Sequence, residues 1–186
     1  MQLSKYEYYS DYVAYPIVIA GLGAAALERA NWYIAAQWTA ALIGGIAAWT
    51  LLEYVLHRIA LHRIPYLVPM HGLHHSAPLA YVGTPTWLSL AVLGCSIFAP
   101  TWALCGFTLA SGLTAGVMLG YLWYGLVHHL IHHRGGGSTS LYFKELHAWH
   151  MRHHYSPQSG NFGVTTGIWD RVFGTAIERQ GPRGRT

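Results

Sequence analysis

Four apolar runs organise the chain, at roughly residues 13–27, 32–56, 84–104 and 107–130. A helix crossing a bilayer core needs about 20 residues, so the second, third and fourth runs are long enough and the first is marginal. Pro16 and the tyrosines at positions 6, 8, 9, 12 and 15 predict a tilted or interfacial entry for the first run, or a half-buried helix. The tight links Glu28 to Asn31 and Cys105 to Gly106 predict two antiparallel hairpins, which leave the ends of the second and fourth runs on one side. Beyond them, GGGSTS at Gly135 to Ser140 reads as a flexible insertion, and the chain from Leu141 onward as a compact cap.

Composition agrees with lipid as the main solvent. Of the 186 residues, 53% are hydrophobic and only 10% charged, where soluble domains carry about 25% charged residues. Lys5, Arg58, Arg63, Arg134, Lys144, Arg152, Arg171, Arg179, Arg183 and Arg185 lie on the side where the second and fourth runs end, and only Arg29 lies opposite. Cationic loops stay on the cytoplasmic side, so that side is expected to be cytoplasmic. No cleavable signal is expected, because the first run follows a tyrosine-rich acidic start. The net charge of +4 suits anionic headgroups or an acidic redox partner, and no nucleic-acid motif is present. Cys95 and Cys105 sit in or beside the third run, away from the histidines, and read as reduced packing residues.

The chemistry lies in the histidines. All thirteen fall between His57 and His75 or between His128 and His154, and each block begins where an apolar run ends. They read HxxxxH at His57 and His62, HxxHH at His71, His74 and His75, HHxxHH at His128, His129, His132 and His133, and HxxHxxHH at His147, His150, His153 and His154. Each neutral imidazole offers one metal-binding nitrogen, so this repetition points to a metal centre at a membrane edge.

Helical geometry divides the spacings. Residues four apart on an ideal helix differ by about 40° and residues five apart by about 140°. His128 and His132 therefore share a face, whereas His57 and His62 do not; His62 requires a helix end, a bulge or a second ion. His71 with His74 or His75 can clasp one ion while the neighbour reaches another, and the same holds for His150, His153 and His154. Adjacent histidines point about 100° apart, which suits two ions. The histidines exceed the four ligands of a structural zinc. A ferritin-like carboxylate centre needs paired Glu and ExxH motifs. Here the acids on that side are Glu53, Glu145, Asp170 and Glu178, with Glu7 and Asp11 near the N-terminus. An imidazole-rich pair of irons fits better.

EYVLHRIALH, HGLHH, HHLIHH and HAWHMRHHYSPQSGNFGVTTGIWDRVFGT, from about Glu53 to Thr175, resemble the membrane fatty acid hydroxylase and sterol desaturase superfamily of histidine-box di-iron oxygenases. Within it the order of boxes is most similar to the sphingolipid-type fatty acid 2-hydroxylases. That resemblance implies ten ligands, His57, His62, His71, His74, His75, His128, His132, His150, His153 and His154. His129, His133 and His147 are then candidates to support them from outside. Glu53, four residues before His57, either orients that imidazole or snorkels to the interface. Asn161 and Asp170 read as turn and cap stabilisers.

The fold so implied is all-α and integral to the membrane, one hydroxylase-like domain over residues 1–186. About four transmembrane helices form two hairpins, and a cytoplasmic helical cap over residues 131–186 holds a histidine-rich dimetal centre. The implied activity is hydroxylation of a lipid or fatty-acyl C–H bond, with O2, two iron ions that zinc can replace in purified protein, and an external donor such as cytochrome b5 or ferredoxin with its reductase. Trp49, Tyr54, Trp87, Trp123 and Tyr124 are candidates for the substrate wall or for an interfacial belt. The shorter spacer from His62 to His71, the expected lack of a cytochrome b5 domain and the GGGSTS insertion depart from the eukaryotic pattern and leave the substrate open. Sterol or lipid desaturation and carotenoid hydroxylation are alternatives within the superfamily. A metal transporter would place its site near the midplane, a haem carrier needs only an axial pair, and a zinc hydrolase lacks its HExxH here.

Overall fold

The computed structural model describes residues 1–134 and 140–177. Its elements are α1 (Lys5–Leu27), α2 (Trp32–Val55) prolonged by a π-helical turn (Leu56–Leu61), α3 (Val68–Ser76), α4 (Thr86–Leu93), a second π-turn (Gly94–Phe98), α5 (Ala99–Cys105), α6 (Phe107–Arg134), α7 (Leu141–Tyr155) and α8 (Ile168–Val172). Four stretches are long and apolar enough to cross a membrane: Lys5–Leu27, Trp32–Leu61, Thr86–Cys105 and Phe107–Arg134. The all-α membrane architecture of two hairpins thus stands.

Two boundaries differ from expectation. α1 starts at Lys5, not near residue 13, because Ser4 and Glu7 form a capping box: the Glu7 N–H donates to Ser4 Oγ at 3.2 Å and the Ser4 N–H to the Glu7 carboxylate at 2.7 Å. Pro16 lies inside this helix without ending it, a position tolerated in lipid where neighbouring groups satisfy the freed carbonyl. α6 runs on through Arg134, so the cap expected from residue 131 begins after the helix. The GGGSTS insertion, apart from Ser140, and Glu178, Arg179, Arg183 and Arg185 lie outside the described residues.

α2 and α6 form the central pair. In lipid, helices associate through close packing rather than through loss of water, so small residues mark the contact. At this crossing a Cβ on Gly116 would lie 2.9 Å from Gly45 Cα and from Ile46 N, and one on Gly112 would lie 2.9 Å from Ala41 Cβ. α1 packs against the pair through Tyr15, whose ring stands 4.9 Å from Tyr121; Tyr121 in turn meets Trp49 edge-on at 5.5 Å. Cys95 and Cys105 are free, but they are exposed rather than packed.

The crossing yields a prediction. Gly116→Ala sets a methyl group against backbone atoms that cannot rotate away, and destabilises the protein by about 1–3 kcal/mol. Gly44→Ala enters open space and leaves stability unchanged or raises it by up to about 1 kcal/mol. Thermal unfolding in detergent compares the two; equal effects refute the close-contact account.

Candidate metal centre

The π-turn that prolongs α2 accounts for the HxxxxH spacing of His57 and His62. A π-turn advances its hydrogen bonds from i to i+5, so Leu56–Leu61 brings residues five apart onto one face. The His57 and His62 rings stack at 5.3 Å. His62 is therefore turned to the same place as His57, and the bulge, not a second ion, resolves the HxxxxH spacing. α3 presents His71 and His75 together, and α7 presents His150 and His154, each pair four apart, while the neighbours His74 and His153 point elsewhere.

Ten imidazoles converge in two groups of five, and within each group the ligand atoms lie within 4.8 Å of one another. The first comprises His57, His62, His71, His75 and His153; the second comprises His74, His128, His132, His150 and His154. In the first, Nε2 of His71 lies 3.0 Å from Nε2 of His57, His62 and His75, and Nε2 of His153 lies 3.2 Å from that of His62 and 3.1 Å from that of His75. In the second, Nε2 of His150 stands 3.0 Å from those of His132 and His154, and His74 Nε2 stands 3.1 Å from His154 Nε2. Nitrogens about 2.1 Å from an ion are ~3.0 Å apart at right angles and ~3.4 Å apart on a tetrahedron. The spacing and the five donors fit ions of more than four coordinations.

Ring orientation is set from the cap. His57 Nδ1–H donates to the Phe162 carbonyl at 2.6 Å and His153 Nδ1–H to the Gly160 carbonyl at 2.8 Å, leaving each Nε2 lone pair free for an ion. Four successive amides hold the loop that carries Phe162. The Phe162 and Gly163 N–H groups donate to Asp170 at 2.8 Å, and the Val164 and Thr165 N–H groups donate to Glu53. The Thr165 hydroxyl donates to Glu53 at 2.6 Å and the Thr175 hydroxyl to Asp170 at 2.7 Å. Asn161, at a φ of 55°, donates to the Trp149 carbonyl at 3.1 Å and accepts from the Ile177 N–H at 2.7 Å.

These contacts correct one expectation and sharpen another. Glu53 does not snorkel; it is buried and grips the loop whose Phe162 carbonyl holds the His57 ring. Asn161 and Asp170 stabilise turns, as anticipated. Phe162 and Gly160 carried no signal, because their contribution is a backbone carbonyl. His129, His133 and His147 belong to neither group. His129 lies 3.3 Å from the Tyr8 hydroxyl and stacks on His133 at 4.2 Å, while His147 is half-buried on α7.

A cavity of about 400 Å³ runs from His57, His71, His74 and His128 between α1, α2, α4 and α6, walled by Tyr12, Tyr15, Trp49, Leu93, Tyr121 and Tyr124. Trp49 and Tyr124 thus line it. Tyr54 does not: it stacks on Phe173 at 5.4 Å beneath the cap and accepts from Arg58 at 2.7 Å. Trp87 and Trp123 are 70% and 50% exposed on the outer surface. The tyrosines of α1, read as an interfacial entry, include wall residues; their even scatter through the first turns conceals which face is inward.

Four membrane-length helices, with two five-nitrogen groups gathered where the second and fourth of them end, define a multi-pass membrane protein with two candidate metal sites. The fatty acid hydroxylase profile matches residues 42–175, and the chain belongs to that family. It is 33% identical over 147 residues to dihydroceramide fatty acyl 2-hydroxylase FAH2 of Arabidopsis thaliana, covering 70% of this chain and 58% of that one. It is 34% identical to the ceramide very long chain fatty acid hydroxylase scs7 of Schizosaccharomyces pombe, covering 70% and 40% respectively. With human fatty acid 2-hydroxylase it shares 34% identity, covering 70% and 38%. A solved structure of full-length scs7p, with only the hydroxylase domain visible, superposes with a TM-score of 0.76 at 28% identity, over 94% of this chain and 68% of that one. The chain spans only part of the length of these curated relatives.

Proton competition follows from the packing. Outside the membrane spans, burial and then neighbouring His75 hold His62 down at about 4. Burial, followed by His132, holds His74 at about 3. Burial also brings His153 to about 3, although its Gly160 contact opposes the shift. In the unfolded chain these rings take protons near about 6.5. Below that value the unfolded state binds more protons than the folded one, so the metal-free protein loses stability as the pH falls from about 6.5 toward 4. Thermal unfolding of metal-free protein should show Tm falling between about pH 7 and pH 5; a Tm that stays level or rises refutes this.

Proposed function

We propose that this chain is a membrane di-iron oxygenase that hydroxylates a C–H bond of a lipid or fatty-acyl chain. The observation that carries the reading is one cavity reaching both five-imidazole groups, in a family whose relatives bear hydroxylase names. The ten histidines of the two groups are the proposed metal ligands.

The donor set suits iron. Each group offers five imidazoles, one more than tetrahedral zinc takes, and imidazole is a good ligand for iron. When bound, two irons supply the redox chemistry that activates O2. Substrate, O2, two electrons and two protons give alcohol and water. An external donor provides the electrons, with cytochrome b5 or ferredoxin and its reductase as the proposed classes.

This chain's own residues bind, orient and exclude. Trp49, Leu93, Tyr121 and Tyr124 form a largely apolar wall that aligns an acyl methylene toward His57, His71, His74 and His128 and keeps bulk water away. Entry is lateral, from the bilayer. Glu53 and Asp170 hold the loop that fixes the tautomers of His57 and His153. The surplus of Lys and Arg beside the histidines supports a cytoplasmic metal centre.

Lipid mass spectrometry of cells expressing the chain under oxygen-18 tests the reading. A labelled hydroxyl is expected on a membrane lipid, falling to background with His150→Ala. An unchanged lipid profile despite full iron loading and a working reductase overturns it.

A further inference from the structure

The two imidazole groups differ in what stands behind them. In the first, His57 and His153 are tied through Nδ1 to the Phe162 and Gly160 carbonyls. In the second, the Nδ1 atoms of His150 and His154 are buried and meet no acceptor among the described residues. A ligand imidazole whose far nitrogen is bonded is held in one tautomer and at one ring angle before any ion arrives. Without that bond, the ion alone must impose both, and a buried N–H stays unsatisfied.

The supports of the first group are themselves supported. Asp170 takes the N–H of Phe162, the residue whose carbonyl holds His57, and of Gly163 beside it; it also accepts from Thr175. The Asn161 N–H, between the two carbonyl-bearing residues, donates to the Thr175 carbonyl at 3.0 Å. Glu53 holds the next two amides and rises from the same helix as His57, one turn earlier. Both buried carboxylates therefore act on the first group through one loop.

We propose that the two metal positions are unequal. The position ringed by His57, His62, His71, His75 and His153 holds its ion more tightly than the one ringed by His74, His128, His132, His150 and His154. Glu53 and Asp170 are positioning residues for the tighter one. The inference rests on the dimetal reading above and concerns affinity, not the oxidation.

The detergent-solubilised chain, loaded with zinc alone and mixed with a coloured chelator, is expected to release two ions in two phases of one equivalent each, separated by about tenfold or more. Asp170→Asn and Glu53→Gln speed the slow phase by about tenfold or more, enough to carry it into the fast one, and leave the rate of the fast phase unchanged. His154→Ala removes the fast phase and His62→Ala the slow one. Two ions leaving the unsubstituted chain in one phase, carboxylate variants that speed both phases alike, or a fast phase lost with His62→Ala overturn the proposal. If a carboxylate variant does not fold, the two histidine variants decide the matter. Fewer than two zinc ions per chain overturns the dimetal reading itself, and this proposal with it.

Discussion

Five imidazole nitrogens crowded within 4.8 Å form an arrangement that a protein must impose, because each lone pair faces others of the same sign and each ring is buried or half-buried. The residues that meet here come from α2, α3, α6 and α7, separated by up to 97 positions along the chain from His57 to His154. Everything else in the fold serves that convergence. The small-residue crossing of α2 and α6 brings two helix ends close enough for His57 and His128 to border one cavity. The π-turn then rotates His62 back beside His57.

Much of this was open to reading from sequence because the physics was local. Apolar runs of bilayer length announced the spans, and pairs such as His128 and His132 announced shared faces through the helical period. The separation of adjacent His74 and His75 into different groups also follows from their angle on α3. What escaped was non-local or carried by backbone. An HxxxxH spacing conflicts with an α-helix, and nothing in the letters selects a π-turn over a helix end. The carbonyls of Gly160 and Phe162 have no side-chain signature. The length of α1 depended on a capping box ahead of the apolar run, in residues that composition counts as polar.

The cavity joins the site to the membrane face of the fold. Its wall draws on α1, which lies outside the segment matched to the family profile, as well as on α2 and α6 within it. Tyr15 packs on Tyr121, and Tyr121 donates to Asp11 at 2.6 Å, so α1 is fastened to the central pair by both ring contact and hydrogen bond. Thr86, at the start of α4, donates to the other Asp11 oxygen. The helix whose apolar run looked marginal by length is thus secured by polar contacts of a kind that sequence hydropathy scores as a defect.

The same logic governs Glu53 and Asp170. A buried carboxylate is costly unless its charge is matched or its oxygens are well hydrogen-bonded. Glu53 is 3% exposed and Asp170 is fully buried, and each accepts from two backbone amides and a threonine hydroxyl. The need is mutual. Residues 162–165 form no helix or strand, so their buried N–H groups lack the partners that regular structure provides. An irregular loop is in turn what allows the carbonyls of Gly160 and Phe162 to point away from the carboxylates and toward two imidazoles. In a helix those carbonyls would be engaged by amides four residues on. The two acids therefore offset the loop's loss of regular hydrogen bonds, and the loop's irregularity is the condition for orienting the metal-facing rings.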